Sequence, residues 1–254
     1  MAVSYAIGDV HGRDDLLRLL LEEIETSSGG DRPRLIFLGD IVDRGPDSKE
    51  ALEIVDRALL EFPGSQLILG NHDERFLRAM QSDLPEHVIS DWLYNLGGLA
   101  TLGSYFGGEH APFEVFRSFV RDYYDHHLEL LENAIEKAEL GSFLMVHAGV
   151  RPGVSLDDQE SHDLRWIRDE FLAHKDSWEK VIVHGHSITA SRLPEVHANR
   201  IALDTGAYGT GRLSAAVFEN EELRGFICAE MDGELPAIRR FDAQMNESAV
   251  AHVV

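Results

Sequence analysis

The 254-residue sequence contains a single cysteine, Cys228, and no apolar run that approaches the ~20 residues needed for a membrane-spanning helix. One cysteine excludes a disulfide framework and any zinc site built from several thiolates. The first residues, MAVSYAIGDVHG, have neither the basic segment nor the apolar segment of a signal peptide. We therefore expect a soluble, cytoplasmic protein without a membrane partner.

Basic residues are scarce relative to acidic ones. The chain has 23 Lys and Arg against 45 Asp and Glu, and its formal net charge is −22. Such a surface repels nucleic-acid backbones, so we expect no nucleic-acid partner. The hydrophobic fraction of 44% is enough to bury one sizeable core, and we expect a single domain over residues 1–254. Composition does not indicate the oligomeric state.

Short apolar runs alternate with amphipathic segments in the first third of the chain. Val3–Ile7 and residues 35–38 and 66–69 have the character of strands. Between them lie two segments with apolar residues at helical spacing, which we expect to be capped by Asp14 and by Asp47. This βαβαβ order predicts parallel strands joined by right-handed crossovers.

The rest of the chain predicts a helical stretch followed by more strands. Residues from about 74 to 128 have little β signal, and we expect them to form a helical insert near the pocket mouth, with their aromatic residues in a small satellite core. Five further apolar runs predict strands: Phe143–Val146 and residues 181–183, 201–203, 214–218 and 223–228. The last two predict a hairpin or meander with Asn220 near the turn. The tail beyond Phe241 is expected to be loosely ordered.

Polar side chains follow five of the predicted strands. They are Asp9 and His11; Asp40, Asp43 and Arg44; Asn71, His72 and Asp73; His147; and His184 and His186. Each motif alone is more typical of a turn or a packed histidine, but five such coincidences at five strand ends are improbable. In open α/β sheets this edge is where ligands bind, so strands of one sheet would bring these side chains together.

The chemistry of this set indicates metal binding. Asp, Asn and His without thiolate suit divalent ions such as Mn²⁺, Fe or Zn²⁺. The set is large enough for two ions, which suits a hydroxide nucleophile and in-line displacement at phosphorus. Arg44 offers a planar fork for phosphoryl oxygens. Other histidines, among them His87, His126, His127 and His174, lack such a setting, and we expect them at the surface or in packing.

The motifs GDVHG (8–12), GDIVDRG (39–45), GNHD (70–73), HAG (147–149) and HGHS (184–187) resemble the signatures of the PPP family of metallophosphatases. Residues 164–172 and 203–213 are similar to segments of its small bacterial and phage members, and the similarity spans about residues 5 to 218. The resemblance implies an α/β calcineurin-like metallophosphoesterase sandwich of two mixed β-sheets flanked by helices, with metals at the strand ends.

The resemblance also implies a ligand set for two divalent ions. The six ligands would be Asp9, His11, Asp40, Asn71, His147 and His186. In this scheme Asp9 and His11 bind the first ion, Asp40 bridges both ions, and the other three bind the second ion. The resemblance selects His186 over the neighbouring His184. We expect Mn²⁺, with Fe or Zn²⁺ as alternatives.

The same resemblance assigns the catalytic groups. His72 would be the general acid for the leaving oxygen and would be held by Asp43, a pairing that fixes the tautomer of the ring and raises its basicity. Arg44 and Arg168 would clamp the phosphoryl group. Tyr208 would border the substrate pocket, with packing inside its loop as an equal alternative.

Two residues give opposite indications about the substrate. Most protein phosphatases of the family have Arg before Gly-Asn-His, where this chain has Leu69; symmetrical diadenosine tetraphosphatases have an apolar residue there. That branch lacks the Asp of Asp-Arg-Gly, which this chain keeps as Asp43. We expect a metal-dependent phosphomonoesterase of the Ser/Thr protein phosphatase type, acting on phosphoserine or phosphothreonine in proteins or on a small phosphate ester. The alternatives are a symmetrical dinucleoside polyphosphate hydrolase and a catalytically silent, phosphate-binding interaction protein.

Overall fold

A computed structural model describes residues 3–81, 84–109, 111–233 and 235–243. The strands are β1 (Val3–Ile7), β2 (Arg34–Phe37), β3 (Gln66–Leu67), β4 (Lys137–Leu140), β5 (Phe143–Val146), β6 (Val181–His184), β7 (Glu195–Val196), β8 (Arg200–Ala202), β9 (Arg212–Glu219), β10 (Glu222–Asp232) and β11 (Leu235–Asp242). The helices are α1 (Asp14–Ser27), α2 (Ser48–Glu61), α3 (Asn71–Gln81), α4 (Glu86–Asn95), α5 (Gly98–Tyr105), α6 (Phe113–Tyr123), α7 (Asp125–Glu132), α8 (Ser161–Trp166), α9 (Asp169–Ala173) and α10 (Ala207–Thr210).

The strands form two mixed sheets. The first has the order β11-β10-β9-β1-β2-β3, in which β1, β2 and β3 are parallel and β9, β10 and β11 are antiparallel. The second has the order β4-β5-β6-β8-β7, with β5, β6 and β8 parallel between two antiparallel edge strands. The parallel βαβαβ start predicted from the sequence is therefore confirmed.

The two sheets face each other, and helices cover their outer faces. Strand residues alternate between the two sides of a sheet, which assigns each side chain of β1 to one layer. Ala6 lies between the sheets with Phe218 and Val183, whereas Tyr5 and Ile7 pack against the helices on the outer face. This arrangement confirms the expected sandwich of two mixed sheets flanked by helices.

The helix starts follow the polar residues only in part. Asp47 caps α2, because its carboxylate accepts the backbone N–H of Glu50 at 2.9 Å. Asp14 is not the cap of α1: it is the first helical residue, and Arg13 occupies the cap position. An acidic residue stabilises a helix start either as the cap, through a hydrogen bond, or in the first turn, through the helix dipole. The residue type alone therefore does not tell the cap position from the first helical position.

Helices α3 to α7 lie in the region where the sequence predicted helical character, from about 74 to 128. The placement of this region as an insert near the pocket mouth stays a prediction. Their aromatic residues do not form a separate satellite core. Trp92 and Phe116 are fully buried in the main core beside Phe76, with ring centroids 6.1 to 6.5 Å apart, whereas Tyr94 is 72% exposed. Among the described residues, no helix is both long and apolar enough to traverse a bilayer.

The strand predictions differ from the structure mainly at the sheet edges. The β9–β10 hairpin turns at Asn220 and Glu221, which both have positive φ, as a two-residue type I′ loop requires. The third strand stops at Leu67, and the edge strands β4, β7 and β11 lack a clear apolar alternation in the sequence. The expected loose tail falls outside the described residues from position 244 onward, whereas Phe241 and Asp242 belong to β11.

The glycine before Asp40 lets the loop after β2 approach the loop after β3 closely, because it has no Cβ. Gly39 has φ +96°, and a Cβ there would lie 2.5 Å from the backbone nitrogen of Gly70. Gly64 also has positive φ, at +79°, but a Cβ would meet nothing within 4 Å. Gly64 is therefore a matched control, because it shares the backbone strain without the clash.

We expect Gly64→Ala to lower the free energy of unfolding by about 1–2 kcal/mol, the left-handed penalty alone. Gly39→Ala adds a backbone collision and should lose about 1–3 kcal/mol more. Urea unfolding of both variants measures the difference. Equal losses would show that the β2 and β3 ends are not held in close contact.

Candidate metal centre

The loops that follow β1, β2, β3, β5 and β6 meet at one end of the sandwich. The sequence suggested a single sheet edge, but the strands come from both sheets, which face each other and so bring their carboxyl ends together. The six expected ligands are all buried: Asp9, His11, Asp40, Asn71, His147 and His186. Direct contacts between their side chains or backbones link all six, as described below.

The backbone is strained where the side chains converge. Eight described residues other than glycine have positive φ, and five of them belong to the motifs: His11, Asp40, Asp43, Arg44 and His186. Such conformations cost of order 1–3 kcal/mol each and persist only where the surrounding structure enforces them. Their concentration at one place is typical of a functional site.

A first cluster contains His11, Asp40 and His72, each with a potential ligand atom within 4.8 Å of the others. His11 Nδ1 donates to the Val42 carbonyl at 2.7 Å, which leaves Nε2 facing the Asp40 carboxylate at 3.6 Å. Burial lowers the pKa of His11 to about 3, so the ring is neutral and Nε2 keeps its lone pair. That tautomer is the form in which histidine binds a metal.

A second cluster contains Asp40, His147 and His186. His147 Nδ1 donates to the Leu38 carbonyl at 2.7 Å. Its Nε2 faces two acceptor oxygens, Asn71 Oδ1 at 2.9 Å and Asp40 Oδ1 at 3.4 Å, while His186 Nδ1 donates to the same Asn71 oxygen at 2.7 Å. A nitrogen placed between acceptors requires either a proton or a cation there.

The charge balance around the two clusters fits divalent cations. Burial lowers the pKa of His147, but the Asp40 carboxylate, the charge of Asp9 and the hydrogen bond to the Leu38 carbonyl together outweigh burial and raise this pKa to about 9. Burial raises the pKa of Asp9, and the neighbouring Asp204 raises it further. The buried carboxylates and imidazoles therefore tend to keep protons, which reduce the negative charge of the centre. Bound metal cations would neutralise the same negative charge in place of those protons. The donor set therefore fits two metal ions, and Asp40 is common to both clusters.

Asp9 contacts the backbone of the last histidine motif. Its carboxylate accepts the backbone N–H of His186 at 3.0 and 3.2 Å, which connects the loop after β1 to the loop after β6. Neither three-residue cluster at this end of the described structure includes Asp9. A Cβ at Gly185 would collide with this carboxylate, so only glycine fits between the two histidines of the last motif. Pairing of Asp9 with His11 on one ion stays a prediction.

Two further acidic residues belong to the centre: Asp73 was among the expected strand-end side chains but had no specific role, and Asp204 was not among them. Asp73 accepts the backbone N–H groups of Ile41 at 2.8 Å and Gly70 at 3.2 Å, so it joins two ligand loops. Asp204 is buried, and burial raises its pKa to about 6. It follows β8 just as Asp9 follows β1, so the same strand-end pattern would have identified it.

His72 is held from both sides. Its Nδ1 lies 2.7 Å from Asp43 Oδ2, and its Nε2 accepts from Arg44 at 2.8 Å. Asp43 is fully buried and also accepts from Thr101 Oγ1 at 2.7 Å and Trp92 Nε1 at 3.0 Å. The pairing expected between His72 and Asp43 is present. Because His72 also lies within the first cluster, its role as an acid rather than a ligand stays a prediction.

The two arginines lie at opposite clusters. Arg44 donates to His11 Nε2 at 2.7 Å and packs over the ring of Tyr208, with its guanidinium carbon 4.9 Å from the ring centroid. Arg168 donates to His186 Nε2 at 2.9 Å. Tyr208 is 40% exposed, and its ring lies edge-on to that of His11 with 5.5 Å between the ring centroids. A role for Tyr208 at the substrate pocket stays a prediction.

His184 and Arg165 have surroundings of their own. The His184 ring packs edge-on against Phe171, with 4.9 Å between the ring centroids, and neither cluster at this end of the described structure includes it. Arg165 pairs with Glu74 and Glu136. His184 thus has a packing environment, and the choice of His186 as the ligand stays a prediction.

The sequence model of the calcineurin-like phosphoesterases matches residues 4–218. A symmetrical bis(5'-nucleosyl)-tetraphosphatase of Cellvibrio japonicus is 34% identical over 155 residues, which cover 61% of this chain and 47% of that protein. The same enzyme of Methylococcus capsulatus is 48% identical over 73 residues, 29% of this chain and 24% of that protein. In these matches the chain spans about a quarter to a half of the length of the curated relatives.

Two solved structures share the fold. One is a candidate diadenosine tetraphosphatase, with a TM-score of 0.56, 21% identity and 95% of both chains covered. The other is a cold-active protein-tyrosine phosphatase of a psychrophilic Shewanella, with a TM-score of 0.56, 17% identity, and 95% of this chain and 81% of that chain covered. The family match and these structures confirm the metallophosphoesterase resemblance and the calcineurin-like sandwich.

The expected substrate was wrong. The sequence analysis favoured phosphoserine and phosphothreonine in proteins, whereas the curated relatives are named tetraphosphatases. Asp43 is typical of the protein phosphatases, but Leu69, which is typical of the tetraphosphatases, is the better indicator of the relatives. Leu69 is buried in the main core, and its backbone N–H donates to the Ile135 carbonyl at 3.0 Å, so this position offers substrate no cationic side chain.

We expect Asp40→Asn to reduce the number of divalent ions bound per chain, because it removes the charge shared by both clusters. Equilibrium dialysis against Mn²⁺ followed by elemental analysis measures this number. Asp122→Asn, at an exposed position on α6, is the matched control and should bind as many ions as the unsubstituted protein. An unchanged metal content in Asp40→Asn would contradict the assignment of Asp40.

Proposed function

The chain belongs to the calcineurin-like phosphoesterase family, and on that premise we propose that it hydrolyses dinucleoside polyphosphates, with symmetrical cleavage of a dinucleoside tetraphosphate as the reaction. The observation that carries this proposal is the pair of buried clusters that share Asp40, with Arg44 at one cluster and Arg168 at the other. The names of the curated relatives support the choice of substrate and the symmetry of the cleavage.

Six side chains would hold the metals. In the proposal Asp9 and His11 bind one ion, Asp40 binds both, and the remaining ligands are Asn71, His147 and His186. Two divalent ions, when bound, supply Lewis-acid charge for the phosphoryl group and an activated water for the attack at phosphorus. We propose Mn²⁺ as the native metal, because the donors are carboxylate, amide and imidazole groups.

The two arginines suit an extended polyanion. A tetraphosphate chain distributes its charge over many oxygens, and two separate guanidinium groups can bind different phosphates of one chain. Arg44 is held in place by the Tyr208 ring and Arg168 by the His186 carbonyl, to which it donates at 3.1 Å. These contacts keep both guanidinium groups beside the two clusters, where a polyphosphate chain would reach them.

His72 would give its proton to the leaving phosphate oxygen. With Nδ1–H directed at Asp43, the ring can carry the transferable proton on Nε2. In this structure Arg44 donates to the same Nε2, so a phosphoryl group that draws Arg44 towards itself would free this nitrogen. Asp43, fixed by Thr101 and Trp92, sets the orientation of the ring.

The direct test is product analysis with diadenosine tetraphosphate and Mn²⁺. Symmetrical cleavage gives ADP as the only nucleotide product, whereas asymmetrical cleavage gives AMP and ATP, and anion-exchange chromatography separates the three. We expect ADP alone, and no product from Asp40→Asn. Turnover of p-nitrophenyl phosphate without turnover of the dinucleotide would contradict the substrate, and inactivity on both with metal bound would support a silent binding protein.

The role of His72 can be tested with two aryl phosphates. General acid catalysis contributes ~10²–10⁴-fold and matters most for poor leaving groups. We expect His72→Asn to lose activity in that range on phenyl phosphate and far less on p-nitrophenyl phosphate, with metal content intact. Asp43→Asn should show a milder form of the same bias. Equal losses on both substrates together with loss of metal would mean that His72 is a ligand.

A further inference from the structure

A third group of metal-ligand side chains lies outside the centre described above. It consists of Glu53 on α2 and of His126 and His127 in the first turn of α7. One potential ligand atom from each residue lies within 4.8 Å of the other two. The sequence analysis expected both histidines at the surface or in packing, because they do not follow a strand.

The spacing of the three donors suits a single ion. Glu53 Oε1 lies 3.0 Å from His126 Nε2 and 3.1 Å from His127 Nε2. Ligands at about 2.0–2.1 Å from zinc lie roughly 3 Å from one another, whether the geometry is tetrahedral or octahedral. Both imidazole nitrogens therefore lie at ligand-like separations from the same carboxylate oxygen.

His127 is incompletely bonded without an ion. It is fully buried, and its Nε2 has no aligned hydrogen-bond partner despite its closeness to the Glu53 oxygen. Its Nδ1 lies 2.7 Å from the Tyr105 hydroxyl, which can fix the tautomer that leaves a lone pair on Nε2. A buried ring nitrogen that lies 3.1 Å from a carboxylate oxygen without a hydrogen bond to it is an independent indication of a ligand position.

The cluster is also open on one side. The side chain of His126 is 40% exposed and that of Glu53 is 33% exposed, so an ion can enter from solvent and keep water as a further ligand. Two imidazoles, one carboxylate and a water form a ligand set typical of Zn²⁺.

We propose that Glu53, His126 and His127 form a third divalent-metal site that is selective for zinc-like ions and separate from the catalytic centre. An ion there ties α2 to α7, two helices that already pack together, and reaches α5 through Tyr105. A ligand that binds only the folded state stabilises it, so the site acts on the stability of the helical side of the fold.

The test compares zinc binding in a protein whose catalytic centre is weakened. Asp40→Asn is the background, and Asp40→Asn/His126→Ala lacks the proposed site. Elemental analysis after dialysis against Zn²⁺ should show one ion per chain fewer in the double variant. His87→Ala in the same background is the matched control, because it removes an exposed imidazole elsewhere and should leave the count unchanged.

Thermal unfolding gives a second readout. Zinc at a hundredfold excess over its Kd should raise the Tm of Asp40→Asn by about 5–10 °C and should not raise that of the double variant by the same amount. Glu53→Gln keeps the shape of the side chain and should weaken zinc binding at least tenfold, which covers the case that the alanine variant unfolds. Equal zinc counts and equal Tm shifts in all variants would overturn the proposal.

Discussion

The Asp40 carboxylate is the group on which the rest of the centre depends. One oxygen accepts the backbone N–H of His72 and approaches His147, and the other faces His11. The Asp40 carbonyl accepts the backbone N–H groups of Val10 and His11 at 3.1 and 2.8 Å. Three loops are thus fixed to one residue with positive φ, and both clusters take their position from it.

Burial and neighbouring charges shift the pKa values of Asp40 and of the adjacent Asp73 in opposite directions. Burial raises the pKa of Asp40, but the imidazoles of His147, His72 and His11 outweigh burial and hold it well below its usual value. The neighbouring carboxylate of Asp73 shows the opposite balance: burial, reinforced by the charge of Asp40, raises its pKa to about 7. Bound metal ions would relieve this repulsion, so stability and the proposed function would depend on the same charges.

The sequence predicted what local pattern encodes. Apolar runs that end in Asp or His located the loops that meet at one end of the sandwich, and the parallel β1–β2–β3 start follows from alternating strands and amphipathic helices. The sequence could not predict that Trp92 and Thr101 donate hydrogen bonds to Asp43. These residues lie 49 and 58 positions away from Asp43 along the chain, and only tertiary packing brings them together. Asp204 was within reach of the same strand-end argument. His126 acquires a partner only through the packing of α7 on α2.

The most direct test of the two-cluster account is the structure of the protein loaded with Mn²⁺, with the ions located by anomalous scattering. The account predicts two ions ~3.5–4 Å apart, with the Asp40 carboxylate coordinating both. One ion alone, or two ions of which Asp40 contacts neither, would contradict it.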